Sequence, residues 1–177
     1  DHNGDSTTWY QDEGAQAVHY SLNYWNDADD YLISRRRFHV PEKGVMFFTR
    51  GVTEENGVED LEVLVSTKTN DLNDFHLVKR FSFADYFGAQ HAEEVDLSQF
   101  AGKDIYVAFR VCSERMQNDL WLWNVMVTQK LDTPKDVKLK RTSESELTAS
   151  WSPVEGADNY YLCLSRETNK TNSQTVF

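Results

Sequence analysis

Seven short segments of strand character follow one another through most of the chain: YLISRRRFHV, GVMFFTRGV, LEVLVST, HLVKRFSF, EEVDLS, DIYVAFRVC and LWLWNVMVT. Each is rich in Val, Ile, Phe and Tyr, alternates apolar with polar residues or runs apolar throughout, and is bounded by Gly, Asn, Asp or Pro. Such segments must bury one face against a second layer, which is the pattern of an antiparallel sandwich. No twelve-residue window combines a period near 3.6 with capping signals; ADYFGAQHAEEV comes nearest, and Gly88 interrupts it. The expected fold class is all-β with little helix.

The chain has 177 residues, enough for one sandwich and part of a second. Eighteen basic against 29 acidic residues give a formal charge of −11, which repels phosphate backbones and excludes nucleic acid as a natural partner. Aromatics at 13 %, with five Trp and eight Tyr, point to a dense core rather than disorder. No apolar run approaches the roughly 20 residues that span a bilayer, so membrane insertion is not expected. The chain begins abruptly at Asp1 without a signal peptide, as a trimmed piece of something longer would. Cys112 and Cys163 lie far apart without a CxxC or a ligand-rich neighbourhood, which supports neither a disulfide framework nor a zinc site.

Near KLDTPKDVKLKR the texture changes. Pro134 follows a strand-like run, and a new series begins with KDVKLKR, ELTASW and NYYLCLS. The boundary falls at about residue 131, giving a first domain over 1–130 and a second piece over 131–177.

The second piece, TPKDVKLKRTSESELTASWSPVEGADNYYLCL, resembles a fibronectin type III domain: Pro134 opens the first strand, Trp151 closes the second, and Tyr161 sits in the third after the PVEGADNY turn. About forty-five residues are present where such sandwiches need about 100, so this is its opening strands only. The first piece resembles the cleaved-adhesin type of jelly roll, found in haemagglutinin and gingipain-like surface proteins of Bacteroidetes and related to choice-of-anchor and MAM-like sandwiches. The resemblance is carried in family order by DHNGDSTTW, ADDYLIS, VEDLEVLVSTKTNDLNDF, and VDLSQFAGKDIYVAFRVC followed by LWLWNVMV. In VDLSQFAGKDIYVAFR, Leu97 and Phe100 staple the loop before a buried strand and Gly102 permits the tight turn. The fold this implies is a jelly-roll β-sandwich followed by the first strands of an immunoglobulin-like sandwich.

The opening DHNGD places Asp1, Asn3 and Asp5 at alternate positions with Gly4 between the last two. Calcium takes six to eight oxygens from a flexible loop, and alternate Asp and Asn residues aim them at one centre while a glycine lets the chain curl. It is not an EF-hand: Ser6 stands at the turn glycine and Asp12 at the bidentate glutamate. The adhesin resemblance implies a structural calcium ion at this loop, helped by Glu59 and by the paired acids of the last strand. Those positions are Trp123 and Asn124 here, which leaves Asn124 as the ligand candidate. The competing reading is a solvated acidic loop. NDADD, Asn26 to Asp30, either closes a second cation site or is a solvated turn feeding a strand.

Trp121 and Trp123 alternate in LWLWN and so share one face of a strand, with Leu120, Leu122 and Asn124 on the other. Exposed, they form a stacking platform for a sugar ring or a partner side chain; buried, they are core. Tyr24 and Trp25 point to opposite faces if extended. Arg35 to Arg37 read as a charged edge that discourages aggregation. The five histidines have no HxH or HExxH spacing, and there is no GxSxG or phosphate-cradling loop. The expectation is therefore a non-enzyme: an extracellular or cell-surface binding module. By resemblance its partners are host proteins, haemoglobin or glycans, with calcium stabilising the loops. A carbohydrate-binding accessory domain of a glycan-degrading enzyme and a ligand-free spacer remain as alternatives.

Overall fold

The computed structural model describes residues 2, 4–5, 7–21, 25–52, 59–83, 90–114, 119–144, 146–160 and 162. The chain divides into two compact units, Asp1–Lys130 and Leu131–Phe177. Among the described residues the regular structure is twelve strands and two 3₁₀ turns.

Unit 1 is a jelly-roll sandwich of two antiparallel sheets. The first holds β1 (Trp9–Asp12), β2 (Ala17–Tyr20), β10 (Leu120–Gln129), β5 (Gly44–Val52) and β8 (Gln90–Asp96), in the order β1-β2-β10-β5-β8. The second holds β3 (Asp30–Ile33), β9 (Asp104–Val111), β6 (Glu59–Ser66) and β7 (His76–Phe83) in that order, and β4 (Phe38–His39) also pairs with β9. β3 covers Ala108 to Val111 and β4 covers Ile105 and Asp104, so the two lie in succession along one side of β9. YLISRRRFHV is therefore two strands rather than one. Arg35 to Arg37 lie exposed between them, and the Arg37 guanidinium sits 5.1 Å from the Tyr106 ring centre.

Period-2 alternation builds the core. Met46, Phe48 and Val52 of β5, with Leu120 and Leu122 of β10, face Leu61, Val63 and Val65 of β6 and Ile105, Val107, Phe109 and Val111 of β9. Phe48 joins the layers: its ring meets Phe81 at 5.6 Å and Phe109 at 5.2 Å, both edge to face. Removing such a ring costs about 3–5 kcal/mol.

Two turns need glycine. A Cβ on Gly44 would come within 2.2 Å of the Val40 side chain. Gly102 has φ 72° just past Ala101, the cap of the Ser98–Phe100 turn, and its N–H donates to Val40 O at 2.8 Å. β10 carries a bulge: Trp123 pairs with Thr49 and Met126 with Phe47, so one extra residue is accommodated where Asn124 takes φ 52°.

In unit 2, β11 (Lys135–Arg141) and β12 (Leu147–Ser152) form an antiparallel hairpin. Trp151 packs against Tyr160 at 5.2 Å.

Candidate functional site

The registers of the second sheet bring particular polar residues to one end of the sandwich interior. Asp30 pairs with Val111, and Val111 pairs with Leu61. Both partners face the core, so Asp30 does too. Two residues before Leu61 and two after Val111, where alternation returns to the same face, stand Glu59 on β6 and Ser113 after β9. Asp30 and Glu59 are fully buried, and Ser113 is 1 % exposed. The Ser113 hydroxyl donates to Glu59 Oε2 at 2.9 Å and accepts from Asp60 N–H at 2.8 Å.

Tyr20 closes this end from the opposite sheet. Its hydroxyl donates to Asp30 Oδ2 at 3.1 Å, and Trp9 Nε1–H donates to Asp30 O at 3.3 Å. Burial first, then the Asp30 charge and hydrogen bond, then the charges of Asp5 and Glu59, push the Tyr20 hydroxyl pKa well above its ordinary value. Three carboxylates from separate segments thus act on one phenol. Asp5 is half-buried, and its carboxylate accepts from Thr7 N–H at 2.7 Å.

The loop leading into β3 is pinned on both sides of this cluster. Ala28 N–H donates to Ser113 O at 2.8 Å, and Asp29 Oδ1 accepts from Arg110 Nε–H at 2.6 Å. His2 hydrogen-bonds Asp29 at 2.7 Å and sits edge-on to Tyr31, tying the opening loop to β3. Burial opposes it, but the hydrogen bonds from Arg110 and His2 hold the Asp29 carboxyl below its usual range. Arg110 also bonds Glu62 at 2.9 Å, and Arg80 bonds Asp60 at 2.9 Å, which braces the outer face of the second sheet.

Two open cavities adjoin the loop end. One, of about 430 Å³, is lined by Trp25, Asn26, Asp27 and Glu114; the other, of about 390 Å³, by Gly4, Asp5, Asn26 and Asp27.

The expected calcium ligands are distributed unevenly. Asp1 and Asn3 lie outside the described residues. Asp5 and Glu59 come to the same end. Asn124 does not: it is exposed in the β10 bulge, four residues along from Leu120, the partner of Tyr20. At roughly 3.3 Å per residue that is about 13 Å along the strand. The structure therefore does not bring Asn124 to the end where Asp5 and Glu59 meet. Asp30 stands there instead. The sequence contained its signal, since Asp30 and Leu32 share a parity in DDYLIS, but Tyr31 and Ile33 offer the opposite one equally well. Only the pairing with β9 decides between them. Among the described residues, no group of three or more His, Cys, Asp and Glu side chains is arranged to hold a metal ion.

Trp121 and Trp123 share a face, as alternation required, and it is the outer face of the first sheet. Both are half-buried there, and neither belongs to the core between the sheets. Trp121 stacks on His19 at 4.0 Å and 12°, and its Nε1–H donates to Asp12 Oδ2 at 3.2 Å. Trp123 Nε1–H donates to Ala15 O at 2.9 Å. The Tyr10 hydroxyl bonds His19 Nδ1, while His19 Nε2 lies 3.7 Å from Asp119. Burial lowers the His19 pKa, against the opposing charges of Asp119 and Asp12. Asp12 is held low by N–H donation from Ala15 and by the Trp121 indole. The result is an aromatic shelf of Tyr10, His19, Trp121 and Trp123.

The Cys112 thiol is free and half-buried. Burial, reinforced by the Glu62 charge, pushes its pKa up to about 11, so it stays protonated at neutral pH and is a poor nucleophile.

No family model matches this chain, and no curated protein does. Solved structures do. The K1 cleaved adhesin domain of Lys-gingipain (Kgp) from Porphyromonas gingivalis W83 is 21 % identical over 73 % of this chain and 88 % of its own, with a TM-score of 0.59. The K3 domain is 20 % identical over 73 % and 89 %, at 0.58. The K2 domain is 21 % identical over 73 % and 87 %, at 0.56. These likenesses show the sandwich fold.

Proposed function

We propose that unit 1 is a non-catalytic, adhesin-type binding module that works outside the cell or on its surface, with its loop end stabilised by calcium and a host protein or glycan as its partner. The fold it shares with the Lys-gingipain cleaved adhesin domains supports the adhesin reading. The observation that carries the proposal is the burial of Asp30 and Glu59, both fully enclosed at the end of the sandwich where their charges and that of Asp5 act on Tyr20.

Removing a carboxylate from water costs several kcal/mol unless charge or hydrogen bonds offset it, and two at one end repel each other. A cation bound at this end would reverse that balance. The available donors are all oxygens: the carboxylates of Asp5, Asp30 and Glu59 and the hydroxyls of Ser113 and Tyr20, which is the chemistry a hard cation selects. Because the described carboxylates are not by themselves arranged to hold an ion, the reading requires Asp1 and Asn3 of the opening loop to complete the set. Bound there, calcium would cross-link the loop to β3 and β6.

Thermal unfolding in calcium and in excess chelator, at matched ionic strength, tests this. Calcium raises the melting temperature by binding only the folded state. Asp5→Ala lowers it in calcium and leaves it unchanged in chelator. Equal losses in both conditions would remove Asp5 from the site, and no calcium shift in the parent chain would remove the ion.

A carbohydrate-binding accessory domain is the second reading, favoured by Trp121 and Trp123 on a solvent-facing sheet rather than in the core. For unit 2 we propose the opening strands of a fibronectin type III domain. Its hairpin exposes Val137, Leu139 and Leu147 at 62 %, 56 % and 51 %, apolar residues that a second immunoglobulin-like sheet would cover.

A further inference from the structure

We infer that the two cavities at the loop end form one subsite for a neutral, hydroxyl-rich glycan, with Trp25 as its stacking platform and Asp5, Asn26, Asp27 and Glu114 as its polar wall. This rests on the binding-module reading above and assigns that module a ligand class and a place.

Trp25 is 85 % exposed, whereas Trp9 is buried and Trp121, Trp123 and Trp151 are all half-buried. An indole left in water forfeits the largest apolar burial any side chain offers, and Trp is the residue most enriched where binding energy concentrates. The surrounding backbone is held. Ala28, three residues on, is 5 % exposed and bonded to Ser113 O, and Glu114 directly follows Ser113. The cavity walls therefore come from both sides of one backbone hydrogen bond, which pre-organises them.

The cavities share Asn26 and Asp27, and both are open to solvent with mostly polar walls, which suits a hydroxyl-rich ligand rather than an apolar one. Their chemistry matches a sugar ring. A pyranose lays its C–H face on an indole while its hydroxyls donate to carboxylates and both donate to and accept from an amide. The chain's formal charge of −11 disfavours sialylated or sulfated glycans. Asp5 lines the second cavity and also acts on the buried cluster, so metal at that cluster and glycan in the cavities share a wall and their affinities are linked.

The test is affinity electrophoresis of the whole chain through gels containing mannan, galactan, xylan or dextran, followed by titration of the retarding polysaccharide. At least one retards the chain. Trp25→Ala weakens that binding roughly tenfold or more, Trp25→Phe restores part of it, and Asp27→Ala weakens it by a smaller factor. Trp25→Ala leaves the calcium-dependent melting shift intact, which separates lost stacking from a disturbed loop. Retardation by none of the four polysaccharides, or full binding by Trp25→Ala, overturns the inference. So does binding of polylysine in place of every polysaccharide, lost in Trp25→Ala, which would assign the cavities to basic side chains of a protein. If glycan binding depends on Trp25 while calcium shifts nothing, the metal reading fails and this one stands.

Discussion

Replacing Tyr20 by Phe removes one oxygen and keeps the ring that packs against Trp9 at 5.5 Å. What is lost is the hydrogen bond to Asp30 Oδ2, between two fully buried groups. A hydrogen bond to a charged acceptor contributes about 1.5–3 kcal/mol, and one between neutral groups about 0.5–1.5 kcal/mol. Unit 1 runs from Asp1 to Lys130, so at about 2.1 cal/mol/K per residue its unfolding entropy is about 0.27 kcal/mol/K. In chelator, where no ion shares the Asp30 carboxylate, Tyr20→Phe lowers the melting temperature by about 6–11 °C. If calcium binds beside Asp30 as proposed, the ion takes up the carboxylate charge and the loss in saturating calcium falls to about 2–6 °C. Calorimetry of both proteins in both buffers measures the difference directly. A loss that is the same with and without calcium would refute the claim that Asp30 shares its charge with an ion, and no loss in either buffer would refute the buried hydrogen bond itself.

Two more outcomes follow from the structure. Folding lowers the His19 pKa below its ordinary value near 6.5, so the unfolded chain binds the proton more readily. The corresponding stability is complete above that value and is lost as pH falls through the window beneath it. His19→Gln lowers the melting temperature at pH 7 but flattens its decline towards pH 5, as scans at several pH values would record; an unchanged slope would count against His19. A chain ended at Lys130 keeps the melting transition of unit 1, because the core residues of the sandwich all precede Leu131. A broadened, non-cooperative transition would show that unit 1 depends on unit 2.

The sandwich was legible because alternation in LEVLVST and DIYVAFRVC survives intact in β6 and β9: Leu61, Val63, Val65 and Ile105, Val107, Phe109 all face inward. The same rule places Glu59 inside, since it keeps step with Leu61. The solvated-turn reading of NDADD holds for Asn26 and Asp27, which are exposed, and fails for Asp30, which is fully buried. Spacing alone cannot separate these, because the inward parity of β3 is set by its partner and not by its own residues. The Trp pair was placed on one face correctly, yet alternation could not say that the face was the outer one. Asn124 was misplaced because alternation assumes an unbroken strand. Trp25 stands in an irregular loop, where periodicity carries no information.

The extra residue in β10 has a consequence for how this strand tolerates changes in length. Leu120 and Leu122 face inward before it and Val127 after it, so even numbers serve the interior first and odd numbers later. Deleting Asn124 would let Val125 oppose Phe48 and leave Leu120 on Val52 and Met126 on Phe47 as they are. Deleting Leu122 instead would also keep Leu120 and Val127 in phase, but it would turn Trp123 inward opposite Arg50. The bulge is thus a reserve of length: a position where the gene can lose a codon without turning half a strand inside out.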